Sequence, residues 1–403
     1  MNILIITNDL YPNLNANSTI AYTVAESLAN KGCDVTVLGF RHSDVKTNSS
    51  FKFDEVSIQS ISKYFRIATQ YKNNRKKRAM YFLFDNDFRR ISIGTHRGQD
   101  AYVREYKTAI ENILKTRQID CIIAFAQPTD TLKALNLLKN TPPIISYKLD
   151  PWSTNYYERD KEKAAKEEAL ADEKASAIVV TKQIYHEYQK QNNPYIDKLI
   201  VANFPCVTKP ENQDLSDNPF DKNEINCVFA GHLYHDIRNP EYTLKLFKQL
   251  QKHHIKLHIF GGQVGDCLEH LPENVTYYGQ ITPTELKRYM DHADILVNIG
   301  NTITNQVPSK TYSYISYGKP IINFVKSQNC PTLDCLANYP LALNVFETSE
   351  LDEELIQKVS DFCIHNKGNV LEWDMVKDLY HDCTPDYIVE NLYNLISDII
   401  GSK

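Results

Sequence analysis

The sequence predicts an α/β protein built from two doubly wound parallel-sheet domains, and three features carry that prediction. Short apolar runs alternate with amphipathic stretches from the start, and a strand-helix-strand crossover within one sheet is right-handed and implies parallel strands. The rhythm stops between Pro205 and Glu224, where Pro, Asn and Asp replace apolar residues, and it begins again at Asn226. At 403 residues the chain also exceeds the size at which single cores stop growing, so two domains of about 200 residues each are expected. The expected partition is 1–204, 205–384 and a final helix over 385–403 that returns to the first domain.

The elements follow in order. Asn2–Thr7 is an apolar strand and Asn8–Ser18 a polar loop; Thr19–Lys31 is a helix with Ile20, Val24 and Leu28 on one face, closed by Gly32. Asp34–Phe40 is a second buried strand. A dinucleotide fold would place G-x-G-x-x-G in that first loop, and no glycine stands between Met1 and Gly32, which argues against NAD or FAD. In residues 41–100 the legible feature is Lys72–Phe84, where Arg75, Lys76, Lys77 and Arg78 run into Met80-Tyr81-Phe82-Leu83-Phe84. Basic and apolar residues in one segment fit an anionic membrane surface, at about 1 kcal/mol per cation near the headgroups; a solvated loop leading into a core helix fits equally. Asp85-Asn86-Asp87 forms a D-x-D, a pattern common by chance, and no metal is expected.

Asp100–Thr116 and Thr129–Lys139 read as helices, Ile119–Phe125 and Pro143–Tyr147 as strands. Lys148-Leu149-Asp150 then lies beyond the C-terminal end of a parallel strand, where open α/β sheets place ligands. Tyr156–Ser176 is a charged helix with Glu162/Lys166 and Lys163/Glu167 at i, i+4, whose charges are expected to form a solvated face. Ala177–Thr181 and Lys198–Asn203 are strands around a helix at Lys182–Gln191. In the second domain, strands are expected at Asn226–Ala230, Lys256–Phe260, Val275–Tyr278 and Ile295–Ile299, and helices at Pro240–His253 and Pro283–His292. Ser309 reads as an N-cap with Lys310 in the first turn of a short helix that ends at Gly318 before Pro320. Thr384–Ile400 is a last amphipathic helix carrying Ile388, Leu392, Leu395 and Ile399.

A net charge of -5 gives no electrostatic case for nucleic acid as a partner. Nine cysteines, odd in number and without C-x-x-C pairs, read as free thiols of a reducing compartment. The chain start lacks a signal-peptide pattern and no run approaches the roughly 18 apolar residues of a membrane span. A cytoplasmic location, peripheral at the inner face of the membrane if Lys72–Phe84 rests there, is the expectation.

Several segments then stand in an order that resembles a known family. They are Tyr11-Pro12, Leu28–Leu38, Phe229-Ala230-Gly231-His232-Leu233 with Arg238, Ile259-Phe260-Gly261-Gly262, Val275–Gly279, Ala293–Val297, and Pro308-Ser309-Lys310 through Gly318-Lys319-Pro320. Together they resemble the GT-B glycosyltransferases of the family-4, group 1 type over nearly the whole chain. The resemblance implies two Rossmann-like domains facing across a cleft, a retaining and metal-independent hexosyl transfer, and no cofactor. A nucleotide-sugar donor, UDP- or GDP-linked, would be held mostly by the second domain.

It assigns the donor phosphates to Gly231, His232, Arg238, Ser309 and Lys310, with Asn15, Ala16 and Asn17 standing where the first domain often has glycines. Asp150 and Lys148 become the acceptor-side and phosphate-steadying candidates, although the donor phosphate can itself assist deprotonation. The acceptor would be a glycan or a lipid-linked glycan of surface polysaccharide synthesis. The family's usual Glu pair falls on Asn305 and Ser313, leaving Ser313 as the ribose contact. A neutral acceptor there loses roughly ten-fold in affinity against a carboxylate. That departure also motivates a second reading, a binding subunit that has lost turnover and supports a partner glycosyltransferase.

Overall fold

A computed structural model describes residues 1–12, 14–41, 50–58, 74–84, 98–210, 217–264, 268 and 270–402. The chain divides into two compact units, Met1–Pro205 with Pro385–Lys403, and Cys206–Thr384.

The first unit holds β1 (Asn2–Asp9), β2 (Asp34–Phe40), β3 (Asp54–Ser57), β4 (Cys121–Phe125), β5 (Ile144–Lys148), β6 (Ala177–Val180) and β7 (Leu199–Val201). They form one parallel sheet in the order β3-β2-β1-β4-β5-β6-β7. Helices Ala16–Asn30, Gly98–Thr116, Asp130–Asn136, Lys161–Lys174 and Lys182–Lys190 connect the strands. The central strands are apolar on both faces, as a sheet covered on both sides requires: Ile3, Leu4, Ile5 and Ile6 are all fully buried. Helix Pro385–Gly401 rests on helix Ala16–Asn30, with Ile388, Val389, Leu392 and Ile396 inward and a Lys31–Glu390 ion pair at the rim.

The second unit holds β8 (Ile225–Ala230), β9 (Leu233–Tyr234), β10 (Ile255–Phe260), β11 (Gln263–Val264), β12 (Val275–Gly279), β13 (Ile295–Ile299), β14 (Ile321–Val325) and β15 (Ala342–Phe346). The main sheet is parallel in the order β12-β10-β8-β13-β14-β15, and β9 pairs separately with β11. No element was expected from the sequence between 323 and 383, where the structure has β15 and helices Pro331–Leu336, Glu353–Asn366 and Trp373–Leu379. An amide ladder, buried at Asn298 and Asn323 and half-buried at Asn344, crosses this half of the sheet. Asn298 Nδ2 donates to Asn323 Oδ1 at 2.7 Å and Asn323 Nδ2 to Asn344 Oδ1 at 2.8 Å, all three in register. A one-residue slip would break both bonds, so the ladder fixes the register.

Two local expectations are corrected, and a third segment is described in part. The first helix begins at Ala16 rather than Thr19, because Asn15 Oδ1 caps it by accepting from Ser18 N–H at 2.8 Å. The charged helix spans Lys161–Lys174, and its charges do not all face solvent: Glu168 and Asp172 are buried. The Lys72–Phe84 segment is helical over Arg75–Phe84, with Lys76, Lys77, Met80 and Leu83 exposed. Lys72, Asn73 and the D-x-D at Asp85 and Asp87 lie outside the described residues. Among those residues no helix is long and apolar enough to cross a membrane.

Candidate functional site

In each main sheet the chain runs outward one way from a central strand and then the other, so the order reverses between β1 and β4 and between β8 and β13. Loops at the C-terminal ends of strands beside such a reversal flank the crevice where doubly wound sheets hold ligands.

In the second unit this place is built on glycine. Gly261 has φ +119°, and a Cβ there would stand 2.0 Å from the Gly231 carbonyl oxygen, so only glycine lets the ends of β8 and β10 meet this closely. Beyond Gly231 the loop folds back through paired bonds between Tyr234 and Arg238. The Arg238 guanidinium is steered by its neighbours: Nε donates to Asn301 Oδ1 at 2.9 Å and Nη1 to the His232 carbonyl at 3.2 Å. It keeps part of its surface open to solvent, yet burial holds it below the usual arginine value, and no carboxylate among the described residues pairs with it. A desolvated guanidinium without a counter-ion is an anion site in waiting. His232 is exposed, its Nε2 3.2 Å from Gln280 Nε2.

Helix Lys310–Ser316 lies against the end of β8. The Tyr314 hydroxyl accepts from Ala230 N–H at 2.7 Å and donates to the Ala230 carbonyl at 3.1 Å, closing the strand end where β13 no longer pairs. Ser309 does not cap this helix: it has helical backbone angles and makes no capping bond, because the preceding turn already begins at Pro308, whose carbonyl accepts from Thr311 N–H. Lys310 is solvent-accessible, and the protein around it lowers its ammonium, an effect opposed by the nearby Cys206 thiol. Ser313 is half-buried on the same helix.

In the first unit the structure joins two residues that the sequence had assigned separately. Asn17 Nδ2 donates to Asp150 Oδ2 at 3.0 Å. The N–H groups of Ala16 and Asn17 open helix Ala16–Asn30, and neither has a hydrogen-bond partner among the described residues. Lys148 is corrected: it is fully buried and its ammonium donates to Glu168 Oε1 at 2.8 Å, to Asp172 Oδ1 at 2.6 Å and to the Tyr188 hydroxyl. All three of its N–H donors are used, so it has none for a phosphate or an acceptor. Asn301, which steers Arg238, was not foreseen. Its signal was its place directly after the strand Ile295–Ile299 and Gly300, on the far side of the sheet reversal from Gly231.

A sizeable cavity of this unit lies elsewhere, at the N-terminal ends of its strands. It is about 580 Å³ and is lined by Lys222, Asp291, His292, Asp294 and Lys319 among others. Lys319 is spent there on the carbonyls of Met290, Asp291 and Ala293, which end helix Pro283–His292. The candidate site is the opposite, C-terminal end, where a cation with no carboxylate partner among the described residues and the glycine-made closeness coincide.

Residues 224–333 match the family model described as Glycosyl transferases group 1. No curated protein sequence matches the chain. Among solved structures, sucrose-phosphate synthase from Thermosynechococcus elongatus is similar over 100% of both chains, at 12% identity and a TM-score of 0.68. WaaG, a glycosyltransferase involved in lipopolysaccharide biosynthesis, is similar over 98% of this chain and 99% of its own, at 13% identity and a TM-score of 0.60. HepE from Anabaena, solved in complex with UDP-glucose, covers 100% of each chain at 11% identity and a TM-score of 0.59. At these identities the likeness is one of fold. The fold is GT-B, and the chain resembles the group 1 glycosyltransferases, with the family pattern itself in the second unit.

Proposed function

Because the second unit carries the group 1 glycosyl transferase pattern on a GT-B fold, we propose that this protein transfers a sugar, with retention and without a metal, from a nucleotide-sugar donor to a glycan or lipid-linked acceptor. The observation that carries the reading is the Arg238 guanidinium, held by Asn301 and the His232 carbonyl and lacking a carboxylate among the described residues.

Negative charge grows on the donor diphosphate as the glycosidic bond breaks, and a fixed cation at that point stabilises the transition state more than the ground state. Arg238 supplies that charge, with Lys310 as a second cation and Gly231 leaving room for the phosphate. Ser313 meets the ribose. On the acceptor side Asp150, oriented by Asn17, receives the hydroxyl, and the departing phosphate shares in taking its proton. Lys148 has no part in this reading. The donor class is a UDP- or GDP-sugar. If helix Arg75–Phe84 rests on an anionic bilayer through Lys76, Lys77, Met80 and Leu83, a lipid-linked acceptor of surface polysaccharide synthesis is the natural class.

A second reading, a nucleotide-sugar-binding subunit without turnover, is favoured by one feature: Ser313 and Asn305 stand in place of the family's Glu pair. Incubation with UDP-, GDP- and CDP-sugars, read by nucleotide release and by ligand-observed NMR, separates the two. Turnover supports the enzyme, binding without turnover supports the subunit, and no binding by any of them overturns both.

A further inference from the structure

One buried carboxylate holds the turn that carries Asp150 at both of its ends. Glu168 Oε1 accepts from Lys148 Nζ at 2.8 Å, and Lys148 is the last residue of β5. Glu168 Oε2 accepts from the Ser153 N–H at 3.0 Å. The two bonds bracket Leu149-Asp150-Pro151-Trp152, a segment whose Leu149 and Trp152 side chains sit in the core at 4% and 2% exposure. Asp150 lies between the anchors, half-buried, and meets Asn17.

The rest of the cluster holds Glu168 itself. Asp172, one helical turn on, accepts from Lys148 through Oδ1 at 2.6 Å and from the Tyr188 hydroxyl through Oδ2 at 2.5 Å. Burial pushes Glu168 upward, but the Lys148 ammonium and the Ser153 bond outweigh it and keep its carboxyl below the usual range. It is therefore ionised at neutral pH, and an ionised acceptor makes the stronger hydrogen bond. The second oxygen of a buried carboxylate also needs a donor, and here the donor is the backbone N–H of Ser153, just past Asp150.

We propose that Glu168 is a positioning residue: by tying β5 to Ser153 it sets where Asp150 stands against Asn17 and hence how the acceptor-side carboxylate is presented. This rests on the reading of Asp150 as the acceptor-side group. The helix that supplies Glu168 is thereby linked to the site through the backbone, without contact with a substrate.

The test uses the full chain labelled with carboxyl-13C aspartate, the Asp150 signal being assigned with Asp150→Asn. Asn17→Ala should shift that signal by removing its hydrogen bond. Glu168→Gln should shift it too and should speed exchange of the Ser153 amide by about ten-fold or more. Tyr188→Phe removes the three bonds that its hydroxyl makes to Lys148, Glu168 and Asp172 but neither anchor, so it should lower Tm while leaving both readouts in place. Glu168→Gln that leaves the Asp150 signal unmoved, or that matches Tyr188→Phe in every readout, overturns the proposal. Nucleotide release from UDP-glucose by Asp150→Asn separates the layers. A parental rate there overturns the acceptor reading and the proposal with it; an impaired rate beside an unmoved Asp150 in Glu168→Gln overturns Glu168 alone.

Discussion

Replacing Arg238 by Met should abolish most donor affinity while costing almost no stability, and the structure supplies both magnitudes. Of the five N–H groups of a guanidinium, Arg238 spends one on Asn301 and one on the His232 carbonyl. The others meet no acceptor among the described residues. A diphosphate that takes two of them gains charge-assisted bonds of about 1.5–3 kcal/mol each, so their loss should weaken binding by about 100-fold or more.

On the stability side, the variant loses the Asn301 and His232 bonds, about 1 kcal/mol each, and also loses a cation that has no carboxylate partner among the described residues and whose desolvation already lowers its pKa. The two effects offset, and Tm should move by no more than about 4 °C. Calorimetric titration with UDP and UDP-glucose, beside thermal unfolding of parent and variant, reads both quantities. Parental affinity in Arg238→Met, or a Tm loss of about 10 °C or more, would show the guanidinium to be structural and would refute the reasoning.

Lys310→Ala should weaken the same titration by about ten-fold, the loss of one charge-assisted contact, with Tm unchanged since the side chain is exposed; unaltered affinity removes Lys310 from the site. His258 is buried between Tyr278 and Asn226, and burial, with Lys256 adding, holds its imidazole down at about 4 against 6.5. The unfolded chain therefore binds a proton that the folded one refuses, so this contribution is complete above about pH 6.5 and is lost as pH falls toward 4. It amounts to about 3 kcal/mol. Urea denaturation at pH 7.5 and 4.5 should show that loss in the parent and a smaller one in His258→Gln; equal losses dismiss His258 as the cause. Flotation with anionic liposomes should recover the parent and fail when Arg75, Lys76, Lys77 and Arg78 are changed to Ser, and failure by both ends the membrane idea.

Much of the fold was legible because buried parallel strands leave continuous apolar runs and helices leave caps. Val35-Thr36-Val37-Leu38 after Gly32, and Pro283 to His292 after Thr282, are such stretches, and the structure has a strand and a helix there. The rest was hidden by chemistry that periodicity does not report. Glu168 and Asp172 look like ordinary solvated charges on a Lys-Glu helix, and the buried Lys148 on a neighbouring strand, with Tyr188 and the Ser153 N–H, turns them inward. Asn298, Asn323 and Asn344 each interrupt an apolar run, yet together they make one ladder whose partners lie on three different strands. At the candidate site, Gly231 and Arg238 were singled out by the family resemblance, whereas the contact between Asn17 and Asp150 spans most of the first unit in sequence and needed the fold.

The central claim, that the second unit grips a nucleotide diphosphate at the C-terminal ends of β8 and β13, is tested most directly by a crystal structure with UDP. Phosphate oxygens should lie about 2.7–2.9 Å from the Arg238 guanidinium, beside Gly231. UDP bound instead at the opposite end of the sheet, in the cavity beside Lys222 and Lys319, or remote from Arg238 altogether, would contradict it.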